Sequence, residues 1–229
     1  MKDGFWGSLR RLSPRMAGDT VRERMISCLG ALIGIGLTGI ISGWIAGAQA
    51  WPFLFAPLGA SAVLLFAVPA SPLAQPWSII GGNTVSALVG AVVAHIVPDA
   101  ATAAPLSVAL SIAAMAALRC LHPPGGAASL LAVLGGPTSS AWSVGFTLMP
   151  VALNSVLLVV LGVLFHRFSG HAYPHPSKSV SSPQRALEID GSDIDASLAE
   201  MGETFDISRD DLLRLLRRAQ LAASQRQQR

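Results

Sequence analysis

The apolar positions of this chain run almost without a break from residue 25 to residue 167, and proline, glycine and small polar residues divide them into long and short stretches. The long stretches lie at about 25–46, 77–97, 105–121 and 142–165, and the short ones at 57–68 and 123–134. A membrane-crossing helix needs roughly 20 apolar residues. The long stretches therefore predict spanning helices, whereas a helix of the short kind rises only about 18 Å and cannot cross alone.

Charge is almost absent from this block, because Asp99 and Arg119 are the only fully charged side chains between Arg24 and Arg167. Such a composition excludes a soluble domain, and the basic residues lie at the two ends of the block, so a nucleic-acid partner is not expected. Lysine and arginine mark the cytoplasmic side of a membrane. We therefore expect a multi-pass protein of the bacterial inner (cytoplasmic) membrane, embedded in the lipid bilayer, with both termini cytoplasmic and either four or six crossings.

An internal repeat is visible, because residues 56–65 align with residues 122–131 at an offset of 66. The predicted fold class is an all-α polytopic membrane protein with two repeats of long, short and long helices, the short ones being broken or re-entrant. The halves are inverted if each spans three times and parallel if the short pieces are re-entrant; inversion is favoured because it places Asp99 outside. Paired short, interrupted segments are the best sequence pointer to a transporter's substrate site.

The starts of the two short helices suit an anion. The N-terminus of a helix carries partial positive charge and unpaired N–H groups, and glycine permits close approach. Arg119 can hold a two-oxygen anion through two hydrogen bonds. Alternatively, Arg119 lies near a helix end and its side chain extends to the membrane interface. The predicted substrate-binding residues are Pro57, Gly59, Ala60, Ser61, Asn83, Arg119, His122, Pro123, Gly125 and Gly126.

Two of these residues have alternative interpretations. His122 donates to an anion, shuttles a proton or caps the short helix that follows it, and Asn83 either belongs to the site or bonds a neighbouring helix. The histidines at 166, 171 and 175 match no firm metal pattern. No paired carboxylate, phosphate-binding loop or activated nucleophile appears in the apolar block. No enzyme activity, catalytic residue, metal or cofactor is therefore expected.

The stretch 118–127, which contains His122-Pro123-Pro124, resembles the signature of the HPP family of integral membrane proteins. Residues 56–61, 71–77 and 81–83 look like further motifs of that family, and the resemblance covers about 24–167. It implies a membrane module of four or more helices. Some plant relatives are implicated in nitrite transport across plastid membranes, and some bacterial relatives carry paired CBS domains, which residues up to Arg229 lack. The resemblance thus implies nitrite as the first candidate substrate.

Four parts are predicted: a cytoplasmic N-terminal segment (1–24), an HPP-like transmembrane domain (25–167), a Ser/Pro-rich linker (168–191) and a cytoplasmic helical tail (192–229). Ser208 and Asp211 form an S-x-x-D capping box in the tail. The tail packs beneath the membrane module or binds a separate cytoplasmic partner. A homo-oligomer is expected from the small size.

The predicted function is a transporter or channel for a small monovalent anion, with nitrite first. The alternative is a membrane-embedded sensor or scaffold that acts through the tail. Proton-coupled cation transport is disfavoured because the apolar block holds a single carboxylate, that of Asp99.

Overall fold

The computed structural model describes residues 16–17, 20–47, 54–135, 147–175, 189–202 and 205–227. Several expectations fall outside these residues. They concern most of the N-terminal segment, most of the Ser/Pro linker and the start of the long stretch predicted at 142–165.

The described residues form helices joined by short turns. The α-helices are α1 (Val21–Ala46), α2 (Leu58–Ala67), α3 (Pro76–Ile96), α4 (Ala100–Ala117), α5 (Pro123–Leu134), α6 (Leu153–Ser169), α7 (Gly191–Met201) and α8 (Arg209–Gln227). A 3-10 turn at Pro72–Ala74 precedes α3, and a π-helical turn at Thr147–Ala152 leads into α6. Strands β1 (Met16–Ala17) and β2 (Phe205–Ser208) pair antiparallel.

Four of the described helices are long and apolar enough to cross a membrane: Val21–Ala46, Pro76–Ile96, Ala100–Ala117 and Pro150–Ser169. The short helices α2 and α5 have 10 and 12 residues, which rise only about 15 and 18 Å. The expectation of a helical polytopic membrane protein with two short apolar helices between the long ones is therefore confirmed.

Helix α4 begins earlier than the pattern predicted. It starts at Ala100 rather than near Pro105, which lies inside the helix. The reason is Asp99, whose carboxylate accepts hydrogen bonds from the Thr102 hydroxyl at 2.6 Å and the Thr102 N–H at 2.9 Å. These two hydrogen bonds hold the pKa of Asp99 below its ordinary value, and the bond from the hydroxyl has the larger effect. A good N-cap outweighed the proline as the start signal.

The glycine-rich face of α1 packs against the short helix α2. A Cβ added at Gly30 would lie 2.5 Å from the Phe66 ring, and one added at Gly34 would lie 2.6 Å from it. Phe66 also stacks edge-on against Phe165 of α6, with 5.4 Å between ring centroids. The small residues of α1 therefore let three helices meet around one aromatic side chain.

The two short helices have equivalent neighbours. Helix α2 packs on α1, which precedes it, and on α6; helix α5 packs on α4, which precedes it, and on α3. Each short helix thus contacts the first long helix of its own half and the last long helix of the other half. Two copies of one unit produce this pattern if each short helix packs on the last long helix of the other copy. The duplication itself stays a prediction.

The tail forms its own small cluster, in which Ile194 and Leu198 of α7 are buried against β2 and α8. The Ser208 hydroxyl accepts from the Asp211 N–H at 3.1 Å, as the capping pattern predicted. The sequence did not reveal that β2 pairs with β1, nor that Asp206 accepts a 2.7 Å hydrogen bond from the Ser71 hydroxyl. These contacts join the tail to the turn before α3.

Candidate functional site

His122, the residue before α5, is fully buried and binds two different segments. Its Nδ1 lies 2.8 Å from the carbonyl oxygen of Leu73, and its Nε2 lies 2.8 Å from the hydroxyl of Ser61. A carbonyl oxygen can only accept, so Nδ1–H donates to Leu73. In the neutral ring Nε2 has no proton and accepts from the Ser61 hydroxyl. This bond joins the first turn of α2 to the start of α5.

Asn83 of α3 extends the network from Ser61 to α6. Its amide nitrogen donates to the Ser61 hydroxyl oxygen at 3.0 Å and to the Ser155 hydroxyl oxygen at 3.2 Å. All three side chains are fully buried. The amide therefore bonds neighbouring helices, as one of the two sequence alternatives for Asn83 predicted, and a role of Asn83 in substrate binding stays a prediction.

Backbones approach closely around His122 because glycines take the places where side chains would interfere. A Cβ at Gly82 would overlap the Cβ of His122 and lie 2.7 Å from the carbonyl oxygen of Cys120. A Cβ at Gly125 would lie 2.7 Å from the Ser86 hydroxyl and 2.8 Å from the Gly82 carbonyl oxygen. Of the glycines predicted for substrate access, Gly125 therefore serves at least to pack α3 against α5, whereas Gly59 and Gly126 have open space around them.

Buried polar atoms without a hydrogen-bond partner accompany this network. Among the described residues they include the amide oxygen of Asn83 and the hydroxyls of Ser86 and Ser129. A buried polar atom left unpaired costs about 1–3 kcal/mol, and such atoms call for a functional or solvent explanation. The amide oxygen of Asn83 is an acceptor, so it suits a proton donor rather than an anion.

The backbone donors that the anion hypothesis invoked are largely used within the chain. The N–H groups of Leu58 and Gly59 donate to the carbonyls of residues 55 and 56, and the N–H of Gly125 donates to that of His122. The first two residues of α5 are prolines and have no N–H. The helix ends therefore offer their electrostatic field, whereas the polar contacts at this place come from side chains.

Arg119 lies at the end of α4 and is exposed. Its backbone is left-handed, with φ 54°, and the N–H groups of Arg119 and Cys120 donate to the carbonyls of Ala116 and Met115. This is a Schellman motif with arginine where glycine is usual. Among the described residues, no hydrogen bond links Arg119 to His122, Ser61 or Asn83. The placement matches the helix-end alternative, and a role in substrate binding stays a prediction.

The other predicted site residues divide into two groups. Pro57 is buried beside Ser61, whereas Gly59, Ala60 and Pro123 are exposed and Gly126 is half-buried. The structure therefore brings Ser61, Asn83, His122 and Gly125 together in the interior and leaves the remainder of the set around them.

A second polar array lies where α1 and α6 meet the end of α2. His166 places Nε2 3.0 Å from the Leu65 carbonyl oxygen and Nδ1 3.0 Å from the Ser169 hydroxyl. That hydroxyl is 3.0 Å from Nδ1 of His171, whose Nε2 is 2.7 Å from the carboxylate of Glu23. The side chain of His171 is only 4% exposed.

Sequence reasoning did not identify Glu23, Ser169 or the Leu73 carbonyl as partners of the histidines, nor Ser155 as a partner of Asn83. Two signals were available: Ser155 follows Asn154 in a mostly apolar helix, and Ser169 lies within three residues of both His166 and His171. Glu23 and the Leu73 carbonyl lie far from their partners along the chain. Nearby, the buried hydroxyl of Tyr173 donates to the Ala74 carbonyl at 2.8 Å, and burial raises the pKa of that phenol.

Comparison with known proteins agrees with this architecture. The family model described as "HPP, transmembrane region" matches residues 16–174. One transmembrane protein of Dictyostelium discoideum is 35% identical over 149 residues, which are 62% of this chain and 47% of the relative. A second from the same organism is 37% identical over 127 residues, or 53% and 44%.

The chain therefore spans about half the length of these curated relatives. No solved structure matches it. The match of the family model covers the four spanning helices, both short helices and the His122 network, and the chain belongs to the HPP family of membrane proteins.

Proposed function

We propose that this protein is a transporter or channel for a small monovalent anion, with nitrite as the first candidate, and that the anion passes where the first turn of α2 meets the start of α5. The observation that carries the proposal is the Ser61–His122 hydrogen bond, because it joins the two short helices in the interior of the apolar block. A non-enzymatic role is part of the proposal.

Three features support this choice. Paired short helices in two halves of a membrane protein are typical of substrate sites. Polar side chains inside an apolar bundle are expensive and are usually functional, and Ser61, Asn83, His122 and Ser155 form one connected network here. The unpaired amide oxygen of Asn83 on the same network marks a place for a further polar ligand, a proton donor that accompanies the anion.

The arrangement in the membrane is also proposed. The lengths of α2 and α5 support re-entrant short helices, which make the two halves parallel, whereas the inverted arrangement that the sequence favoured requires α2 and α5 to cross. The charge pattern supports location in a bacterial inner membrane with both termini cytoplasmic, and the small size supports assembly as a homo-oligomer. Reporter fusions at residues 72 and 99 distinguish the parallel from the inverted arrangement.

The test is nitrite uptake into proteoliposomes, measured against protein-free vesicles with nitrate, formate and chloride as competitors. We expect saturable uptake that Ser61→Ala lowers at least tenfold, because its hydroxyl connects both short helices. Val63→Ala is the matched control, since Val63 lies on the same helix, two residues further on, and is 62% exposed. Absence of saturable uptake for every anion tested refutes the proposal.

The sensor or scaffold alternative also has support in the structure. Asp206 of the tail binds Ser71, two residues before the Leu73 carbonyl that holds His122. Movement of the tail is therefore able to reach the His122 network. This alternative predicts that deletion of residues 186–229 abolishes function while Arg119→Gln has no effect. The transporter proposal predicts that saturable uptake survives the deletion.

A further inference from the structure

We propose that the site takes up a proton together with the anion, and that His122 holds the proton while the Ser61 hydroxyl reverses its hydrogen bond. The moving unit is then the electroneutral pair of a proton and a small anion. The inference rests on the proposed function, because it names the second ligand of the same site.

In the structure the donors that reach His122 and Ser61 are in use when the ring is neutral. Nδ1–H donates to Leu73, the Ser61 hydroxyl donates to Nε2, and the Asn83 amide donates to Ser61 and Ser155. The amide oxygen of Asn83, an acceptor, is unpaired, and so are the neighbouring hydroxyls of Ser86 and Ser129. An anion arriving at His122 and Ser61 in the neutral state therefore meets a ring nitrogen and an amide oxygen and no positive charge.

One proton changes this arrangement without moving a heavy atom. When a proton from water binds Nε2, the ring becomes a cation and Nε2–H donates to the Ser61 oxygen. That oxygen has two lone pairs and accepts from both Nε2–H and Asn83. Its own proton then leaves Nε2 and can turn either to the Pro57 carbonyl oxygen, 3.4 Å away, or toward an anion. Proton uptake thus supplies a positive charge and a hydroxyl donor in one step, and release of the proton and anion on the other side restores the first state.

Among the described residues, no carboxylate bonds to the His122 ring. In the described parts of the elements packed around His122, no carboxylate is present on α2, the Pro72–Ala74 turn, α3, α4, α5 or α6. Two carboxylates lie beside these elements: Asp206 bonds to Ser71 before the turn, and Asp99 caps α4. The other ionisable residues on these elements and beside them are His95, Arg119, Cys120, His166, Arg167 and Tyr173. A buried cation is costly unless it is paired, so the anion itself is the group that makes protonation favourable.

Linkage makes the effect reciprocal and measurable. If the anion favours the protonated ring, protonation must favour the anion by the same factor. Where His122 is neutral in the free protein, each unit of pH decrease strengthens anion binding about tenfold. In detergent solution the purified protein should take up about one proton per nitrite bound, as reported by a pH indicator in weak buffer.

The decisive experiment uses proteoliposomes of the full chain, in which potassium and valinomycin fix the membrane potential and a trapped dye reports internal pH. We expect saturable nitrite uptake that follows an inward proton gradient, carries one proton per nitrite and does not change with potential of either sign. Protein-free vesicles correct for acid that crosses the lipid unaided. Val63→Ala should behave like the wild type.

Two variants separate the roles of the two side chains. His122→Gln should remove both the gradient dependence and the proton uptake on binding. Ser61→Ala should weaken nitrite binding but keep proton uptake, because the ring remains. Saturable uptake in the wild type that follows the potential and carries no proton overturns this inference and leaves the proposed function standing. Absence of any saturable anion uptake overturns both.

Discussion

The described residues contain two buried histidine arrays, which differ in whether a carboxylate is in contact with a histidine. His122 binds a carbonyl, a hydroxyl and, through it, an amide. His171 binds the carboxylate of Glu23 directly at 2.7 Å and reaches His166 through the hydroxyl of Ser169. His122 is therefore buried without a carboxylate partner, whereas His171 is buried with one.

Counting protons shows what the carboxylate changes. The Leu65 carbonyl accepts from His166, and an ionised Glu23 accepts from His171. The hydroxyl of Ser169 faces Nδ1 of both rings but carries one proton, so one ring must donate to it. Glu23 is thus a resident carboxylate for a proton shared within this array, and no such carboxylate bonds to His122.

The largest effect expected concerns the packing around His122. Gly125→Ala places a Cβ under 3.0 Å from Ser86 and from the backbone of Gly82, so α3 and α5 must separate, at a cost of about 3 kcal/mol. Thermal unfolding of detergent-purified protein measures it. Gly126→Ala is the control, because its nearest neighbour is Val108 at 4.0 Å. Equal stability of the two variants would show that this close approach is not needed.

A smaller effect is expected from Glu23→Gln, which removes the resident counterion. The buried His171 ring loses its charged partner, which costs about 1–2 kcal/mol. The control is Arg22→Gln, because Arg22 is 76% exposed and should change stability by less than about 0.5 kcal/mol. Proton uptake on nitrite binding should persist in Glu23→Gln. Loss of this proton uptake in Glu23→Gln would mean that the two histidine arrays take up the proton together.

The smallest effect is expected at an ion pair open to water, which serves as a reference for both buried arrays. Arg209 donates two hydrogen bonds to Asp195, at 2.6 and 2.7 Å, and this lowers the pKa of Asp195. Its contribution to tail stability is therefore present above the ordinary carboxyl pKa of about 3.9 and is lost as pH falls through the lowered value.

Amide protection factors, which correct for intrinsic exchange, measure this loss in α7 and α8. The membrane helices should keep their protection in the same acid, and Asp195→Asn should remove part of the acid response. Protection of the tail that is unchanged at pH 2 would contradict the assignment.

The membrane helices were predictable because a bilayer imposes a length and a composition on every crossing segment. Proline and glycine marked the ends of α5 at residues 123 and 134 as the structure has them. The start of α4 was missed, because whether proline or the Asp99 cap begins a helix depends on local hydrogen bonds. Strand β2 was missed because it has only four residues and its partner strand, Met16–Ala17, is distant along the chain.

The candidate site was predicted in part, and the division has a physical reason. Ser61, Asn83 and His122 were named because polar residues in an apolar block need a partner or a role. Arg119 was named because charge is rare there, yet its position in the turn after α4 leaves it exposed. Rarity identifies an unusual residue, but the direction of its side chain follows from the turn that carries it.

The sequence by itself determined that this is a helical membrane protein, with two short helices that begin at proline and a histidine before one of them. Its periodicity, composition and helix-stop residues are local, and the bilayer acts on them locally. Only the tertiary structure decided that Ser61 and Asn83 are the partners of His122 and that Glu23 belongs to His171 and not to His122. Hydrogen bonds between residues 61 and 122, or 23 and 171, depend on how helices pack, and no short stretch of sequence specifies that.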